Sequence, residues 1–177
     1  MQIEYTHKIS AHSRGTRISV GVEGNVVVTT PRAASMAAVE KFVAKYASWI
    51  ERHVARARLR TVMRIPRKDV AGLKKKALAI AEERCKFFAK VYGLEYKKIS
   101  IRSQKSRWGS CSAAGNLSFN YKIVALPSET ADYIIVHEIC HLAEMNHSKK
   151  FWDLVAQTVP NHQELRKQLR KMHILVE

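Results

Sequence analysis

The sequence predicts an α+β fold, with a central apolar helix, a small antiparallel sheet and a β-rich segment before them. β-Branched and alternating runs fill residues 2–30, and two long stretches with helical spacing follow. Short alternating runs at residues 97–124 then precede an apolar helix that begins near Pro127. At 177 residues, the chain is long enough for one well-buried core with a small appended lobe.

The N-terminal segment is expected to contain two strands. Arg17–Val22 and Asn25–Thr30 are rich in β-branched residues, and Glu23-Gly24 between them is a turn sequence. Pro31 is expected to close this region, because proline has no N–H group to donate to a sheet.

Two long helices are predicted next. Ser35 is the expected N-cap of the first, which continues to about Arg60, and a short basic connector, Thr61–Lys68, follows it. The second helix is predicted over Asp69–Tyr92 and ends at Gly93. Apolar residues at helical spacing predict the core face of the first helix: Val39, Phe42, Val43, Tyr46, Ile50 and Val54.

A short β section follows the second helix. Lys97–Gln104, Arg107–Ser112 and Leu117–Val124 are the predicted strands, and Ala113–Asn116 is the turn between the last two. Apolar and polar residues alternate along the third strand, so one of its faces is expected to be buried.

Pro127-Ser128 is expected to open the central helix, where Glu129 and Asp132 favour the positive helix end. This helix is apolar nearly all round, which predicts burial on every side. We expect residues 1–65 to form an N-terminal β-rich segment with a long helix, and residues 66–177 to form the domain that contains the central helix.

The central helix contains the sequence His137-Glu138-Ile139-Cys140-His141. Histidines at i and i+4 differ by about 40° around a helix, so both imidazoles can face one ion. Imidazole nitrogen suits tetrahedral zinc, and a catalytic zinc has three protein ligands and one water. Glu138 neighbours the first ligand, where its carboxylate can accept the proton of that water. The spacing predicts one zinc ion (Zn²⁺) per chain, bound by His137 and His141.

His147 is the predicted third ligand. It lies six residues after His141, about 600° of helix, so the chain must turn between them. Asn146 is the expected turn residue, because asparagine tolerates the left-handed conformation that ends helices. Ser148 is the expected N-cap of the next helix, Lys149–Val159. Three acidic residues stay open as alternative third ligands: Glu144, Asp153 and Glu164.

The charge balance is strongly basic. Lys and Arg total 31 against 15 Asp and Glu, a formal net charge of +16. A field of this strength attracts polyanions, and nucleic acid is the first candidate. No sequence-reading motif accompanies it, so we expect phosphate contacts with little sequence preference; the alternative is a solvated surface that only aids solubility. The expected contact residues are Arg52, Arg56, Arg60, Lys74, Lys75 and Lys76.

Cysteine usage and hydropathy indicate the setting of the protein. The three cysteines are odd in number and form no C-x-x-C pair, which favours a reduced, cytoplasmic protein. No apolar run approaches the roughly 18 residues that a membrane helix requires. The sequence does not indicate an oligomeric state.

Two motif regions carry a family resemblance. The run Gln104–Ser112 with Gly115–Asn120 after it, and the stretch His137–Trp152, closely resemble the YgjP-like metal-dependent hydrolases. More distantly, they resemble the SprT-like and WLM zinc proteases linked to clearance of DNA–protein crosslinks. The resemblance implies a zincin-like catalytic domain, with the three histidines as zinc ligands and Glu138 as the catalytic carboxylate.

These residues favour a zinc metallopeptidase that hydrolyses protein or peptide substrates with Glu138 as general base. Nucleic-acid-associated proteins are the expected substrates if the basic charge binds nucleic acid. Two alternatives stay open. A nucleic-acid-binding module with a structural zinc would have a fourth protein ligand, and a non-peptide hydrolase would use the same activated water.

The Arg107–Asn120 segment has two interpretations. It can supply a strand that pairs with an extended substrate, with Arg107 binding an anion or stabilising the oxyanion. Alternatively, Trp108 is a core residue and Arg107 pairs with a buried acid. Gly109 would then allow close backbone packing. Cys111 is either a small buried hydrophobe or an additional metal contact.

Overall fold

The computed structural model describes residues 3–177, which form two compact units. The N-terminal unit comprises the residues up to Val62 together with Lys171–His173. The C-terminal unit comprises Met63–Arg170 and Ile174–Glu177. Within the described residues, no helix combines the length and hydrophobicity needed to cross a membrane.

A three-stranded sheet begins the N-terminal unit. Its strands are β1 (Thr6–Ile9), β2 (Arg17–Val20) and β3 (Val26–Thr30), in the order β1-β3-β2. β1 is parallel to β3, and β2 is antiparallel to it. Both predicted strands are confirmed, although each is shorter than expected. Gly24 in the turn between them has φ 92°, a conformation that favours glycine.

Two helices follow, α1 (Met36–Lys45) and α2 (Ala47–Arg58), so the prediction of one continuous helix is wrong. Tyr46 separates them with φ −104° and ψ 13°, which are not helical values. Ser35 caps α1 as predicted, because its hydroxyl accepts a hydrogen bond from the Ala38 N–H at 3.3 Å. The buried core of this unit consists of Val26, Val28, Val39, Val43 and Ile50.

The predicted basic connector is instead a strand, β4 (Thr61–Ile65), which pairs with β8 (Met172–Val176). The Glu177 N–H donates to the Ile65 carbonyl at 3.1 Å, and the Arg67 N–H donates to the Glu177 carbonyl. The prediction failed because the pairing partner lies at the far end of the sequence, beyond the reach of local patterns.

The second predicted helix is confirmed as α3 (Val70–Tyr92). Gly93 ends it in the left-handed conformation, with φ 64°. The face of α3 that is buried carries mostly small side chains: Ala77, Ala81, Cys85, Phe88 and Ala89.

The second three-stranded sheet has β5 (Lys98–Arg102), β6 (Gly109–Cys111) and β7 (Asn116–Asn120), in the order β5-β7-β6. β6 and β7 are antiparallel, but β5 and β7 are parallel, so the purely antiparallel sheet was a wrong prediction. β7 also ends earlier than expected. The Asn120 side chain accepts a hydrogen bond from the Lys122 N–H and caps a 3₁₀ helix, Tyr121–Ala125.

The central helix is confirmed as α4 (Ser128–Cys140), and it is buried on nearly all sides. It is followed by α5 (Lys149–Thr158) and α6 (His162–Lys171). Arg84 of α3 donates two hydrogen bonds of 2.6 and 2.7 Å to Asp132, which attaches α3 to the first half of α4. The Tyr92 hydroxyl donates to the Leu154 carbonyl at 3.0 Å and so attaches α3 to α5.

Candidate metal centre

Three histidines converge at the end of α4. His137 lies on its last turn, His141 is its C-terminal cap, and His147 lies in the loop before α5. One ring nitrogen of each lies within 4.8 Å of the others. The three residues predicted as ligands are therefore brought together. Within the described residues, the alternative third ligands do not join this group: Glu144, Asp153 and Glu164.

A side-chain hydrogen bond makes the turn that returns His147 to the helix end. Asn146 has no positive φ, so the predicted left-handed conformation is wrong. Its side-chain oxygen instead accepts a hydrogen bond from the Ser148 N–H at 2.9 Å, which forms an Asx turn. Ser148 caps α5 as predicted, accepting from the Phe151 N–H at 3.5 Å. The turn therefore needs no strained backbone.

His141 is held in one tautomer. Its side chain is buried, and its Nδ1 lies 2.9 Å from the backbone carbonyl of Glu144. Because a carbonyl only accepts, Nδ1 must carry the proton, and the Nε2 lone pair is free for a metal. Glu144 was an alternative third ligand in the sequence analysis. In the structure its backbone carbonyl orients the His141 imidazole.

Phe151 and Trp152 of α5 form an aromatic wall behind the histidines. Phe151 is fully buried, and its ring stacks on His141 with centroids 4.5 Å apart. It also lies 4.9 Å from His137 and 4.8 Å from His147. Trp152 lies 5.8 Å and 5.6 Å from the same two rings. Rigid packing of this kind fixes the directions of the three imidazoles.

The ligand atoms of the three imidazoles lie within 4.8 Å of one another, close enough to hold a metal ion, and one pair has the spacing expected on zinc. The Nε2 atoms of His137 and His147 lie 3.1 Å apart, and two nitrogens on one tetrahedral zinc lie about 3.3 Å apart. Burial lowers the pKa of His137 to about 3, and electrostatic interactions with His141, His147 and Arg166 lower it further. Burial also lowers the pKa of His147. Both shifts favour the neutral imidazole, the form that binds metals.

Glu138 lies next to these histidines beneath the edge of β6. It is 6% exposed, and a Cβ added to Gly109 would lie 2.7 Å from its Cγ and its Oε1. Gly109 is therefore required for this close approach, as the sequence indicated. Burial raises the pKa of Glu138 to about 8, while the Arg107 charge and a hydrogen bond from the Cys111 N–H oppose the shift. A bound divalent cation would lower this pKa as well, because it favours the charged carboxylate.

A family model for the YgjP-like metallopeptidase domain matches residues 67–172, more than half of the chain. The chain belongs to the YgjP-like metallopeptidases. No curated protein matches it. Among solved structures, it is similar to the metallopeptidase zymogen abylysin of Pyrococcus abyssi, with 23% identity and a TM-score of 0.47. That similarity covers 50% of this chain and 90% of the other. Family membership identifies a metallopeptidase domain and implies a bound metal ion.

The loop before β6 places the Arg107 charge near Glu138. Arg107 is exposed and, within the described residues, forms no ion pair, although its charge lowers the pKa of Glu138. The buried Asn120 side chain holds the loop, because its Nδ2 donates to the carbonyls of Gln104 at 2.7 Å and Arg107 at 3.0 Å. Cys111 does not join the histidine group, and burial raises the pKa of its thiol to about 11.

Sequence reasoning missed Arg166. This α6 residue lies with its guanidinium carbon 5.0 Å from the centroid of the Trp152 ring, a cation–π contact. Its charge contributes to the lowered pKa values of both His137 and His147. No local motif marks Arg166, because it reaches the site only through the packing of α6 against Trp152.

Proposed function

We propose that this protein is a zinc metallopeptidase whose ligands are His137, His141 and His147 and whose general base is Glu138. One observation carries the proposal: the buried Glu138 side chain packs against the backbone of β6 and lies directly beside three converging imidazoles. Burial of an ionised acid is unfavourable unless a partner stabilises its charge. A neighbouring metal ion would stabilise the charge of Glu138, and a metal-activated water would give the carboxylate a proton to accept.

A bound zinc ion would supply Lewis acidity, which lowers the pKa of water and polarises a carbonyl group. The protein's own residues perform the proton transfers. Glu138 accepts the proton of the attacking water and passes it to the leaving amine. The Cys111 N–H holds the carboxyl group in position, and the Arg107 charge opposes the rise of its pKa. Glu144 and the aromatic wall keep the imidazoles in place.

The edge of β6 supports an extended protein or peptide substrate. In the order β5-β7-β6, β6 has only one neighbour. The Asn120 N–H donates to the Trp108 carbonyl, and the Ser112 N–H donates to the Asn116 carbonyl. Those groups face β7, so by alternation the backbone groups of Gly109 and Cys111 face the opposite edge, where the Cys111 N–H donates to Glu138. A substrate strand added there would have its peptide bonds beside the general base.

Two features weigh against a structural zinc in a nucleic-acid-binding module. Within the described residues, only three histidines form the group, and a structural site requires a fourth protein ligand. A structural zinc also gives the buried Glu138 no role. The family assignment favours peptide bonds over other substrates.

We also propose that basic residues, three in the N-terminal unit and three in the C-terminal unit, recruit the peptidase to nucleic-acid-associated proteins. Arg52, Arg56 and Lys74–Lys76 are exposed, whereas Arg60 is half-buried. The catalytic domain is proposed at residues 66–177, which contain the three histidines and Glu138. A reduced, cytoplasmic setting is supported by the three free cysteines, Cys85, Cys111 and Cys140.

Glu138→Gln is the direct test of the catalytic proposal. The variant should bind one zinc per chain and fold like wild type, but hydrolysis of an unfolded protein such as reduced casein should fall by about 10²–10⁴-fold. Zinc content, circular dichroism and turnover are measured on the same preparation. If the variant lost zinc, Glu138 would be a ligand; if it kept full turnover, Glu138 would not be the base.

Charge reversal tests the recruitment proposal. Replacing Arg52, Arg56 and Lys75 by Glu should weaken binding to single- and double-stranded DNA alike and flatten the dependence of affinity on salt concentration, because fewer counterions are released. Zinc content should not change. Absence of DNA binding by the wild-type chain, even at low salt, would show that the basic charge serves solubility.

A further inference from the structure

A polar cavity of about 470 Å³ lies in the N-terminal unit. Most of its lining comes from the segment Ser10–Arg17, which contains the connection between β1 and β2 and the first residue of β2. We call this segment the 10–17 loop. Thr29 of β3 completes the lining. The lining contains hydroxyl groups, two arginines and a histidine, and it has no carboxylate and no large apolar side chain. Such a lining offers many hydrogen-bond donors and no negative charge.

Thr29 is a buried polar residue that lines this cavity. The residue is only 7% exposed, and within the described residues its side chain forms no hydrogen bond. A hydroxyl at a cavity wall can donate a hydrogen bond to a molecule in the cavity. The hydroxyls of Ser10 and Thr16 also line the cavity without a side-chain hydrogen bond to the described protein. All three are free to donate to one occupant.

Positive charge is concentrated around the same hydroxyl. Strand register places Thr29 between Lys8 of β1 and Arg17 of β2, so the three side chains share one face of the sheet. Arg14 of the loop adds a further cation to the lining. Within the described residues, neither Arg14 nor Arg17 forms an ion pair. Like charges without acidic partners repel one another, and an anion between them would remove that repulsion.

The 10–17 loop is also held in shape by its own hydrogen bonds. The Ser13 hydroxyl donates to the Gly15 carbonyl at 2.7 Å, and the Ser13 N–H donates to the Ser10 carbonyl at 3.1 Å. At the start of the loop, the Ser10 N–H donates to the Thr30 carbonyl at 2.9 Å. A loop fixed in this way loses less conformational entropy when it binds a ligand.

We propose that this cavity is a binding site for a phosphate group. Guanidinium groups pair bidentately with oxyanions, and serine and threonine hydroxyls are frequent phosphate donors. The donors come from several chain positions, which suits the oxygens of a tetrahedral phosphate better than the two oxygens of a planar carboxylate. The phosphate belongs either to a nucleic-acid backbone or to a free phosphorylated small molecule. The site is independent of the metal centre and of the proposed peptidase activity.

The test uses the 177-residue chain and two probes, inorganic phosphate and a 12-nucleotide thymidine oligomer, at constant ionic strength. Calorimetry measures phosphate binding, and fluorescence anisotropy measures oligomer binding. The cavity variants are the double variant Arg14→Gln/Arg17→Gln and the single variant Thr29→Val. The matched control is Arg32→Gln/Arg58→Gln, which removes the same charge from two exposed arginines of the same unit that do not line the cavity.

We expect the double variant to lose phosphate affinity by at least about tenfold and Thr29→Val by about threefold, with the control near wild type. A parallel loss of oligomer affinity would assign the phosphate to nucleic acid; an unchanged oligomer affinity would assign it to a free small molecule. Equal losses in cavity and control variants, or no phosphate binding by wild type, would overturn the proposal. Thermal unfolding of each variant verifies the fold, and the arginine variants stay informative if Thr29→Val unfolds.

Discussion

On one flank of the metal centre, the backbone of Gly109 and Cys111 lies against Glu138. On the other flank, the Trp152 ring lies beside His147, and Arg166 lies over the Trp152 ring. We call these the Glu138 flank and the His147 flank. The first is buried and leaves no space for a Cβ atom at residue 109. The second is open, because His147 and Arg166 are exposed.

The buried flank and the open flank meet two different requirements of a hydrolase. Proton transfer needs a carboxylate in one fixed position, and backbone groups of a sheet supply this because they cannot rotate away. Substrate entry needs accessible groups, and exposed side chains on a helix supply these. A substitution on the Glu138 flank should therefore affect catalysis more than metal binding, whereas the His147 flank should show the reverse.

The largest effect is expected for Gly109→Ala. Its Cβ would collide with Glu138, so the carboxylate must move, and a displacement of about 1 Å can reduce turnover by about 100-fold. Zinc content should stay at one per chain, because no ligand is touched. Turnover and bound zinc are measured together, with Ser110→Ala on the same strand as control. Wild-type turnover in Gly109→Ala would remove the distinction between the flanks.

The second effect compares His141→Ala with His147→Ala. Both should lose stoichiometric zinc, since two remaining ligands bind it weakly. Only His141→Ala should also destabilise the metal-free protein, by about 1–3 kcal/mol, because it removes a buried ring stacked on Phe151. Zinc content is measured after dialysis. The stability of the metal-free protein is measured by urea unfolding in the presence of a chelator. Stoichiometric zinc in a variant without His137 and His141 would contradict the ligand assignment.

The smallest effect is expected for Arg166→Gln. Removing a cation near His137 and His147 should strengthen zinc binding by about two- to fivefold at low salt, and less at high salt. Arg170→Gln, one turn further along α6, is the control, because its charge contributes to neither shift. Competition with a chelator measures the affinities. Weaker zinc binding in Arg166→Gln would mean that Arg166 supports the ligands instead of repelling the ion.

Local spacing predicted the part of the site that lies on one element. His137, Glu138 and His141 follow from helix periodicity, and Ser148 follows from capping preferences. The return of His147 was also expected, but its mechanism was not, because asparagine can turn a chain either by a left-handed backbone or by an Asx hydrogen bond. Sequence alone does not choose between the two.

Long-range contacts account for what local spacing missed. The alternation along β7 does not reveal that its second neighbour, β5, runs parallel to it. Asn120 was expected on a polar strand face, yet it is buried and holds the loop that carries Arg107. Arg166 lies in a helix that no motif connects to the site. Each of these roles depends on a partner brought near by folding, which single-sequence patterns do not encode.

The pairing of β4 with β8 has a consequence for synthesis of the protein. Arg64 and Glu177, which bond across this region, are 113 positions apart in sequence. A ribosome therefore exposes β4 long before its partner exists, and the unpaired strand edge is open to association with other chains during that interval. The three proposed metal ligands all emerge earlier than β8, so a metal ion could bind to them before the sheet closes. Metal supply during translation would then influence how much of the nascent chain reaches the native state.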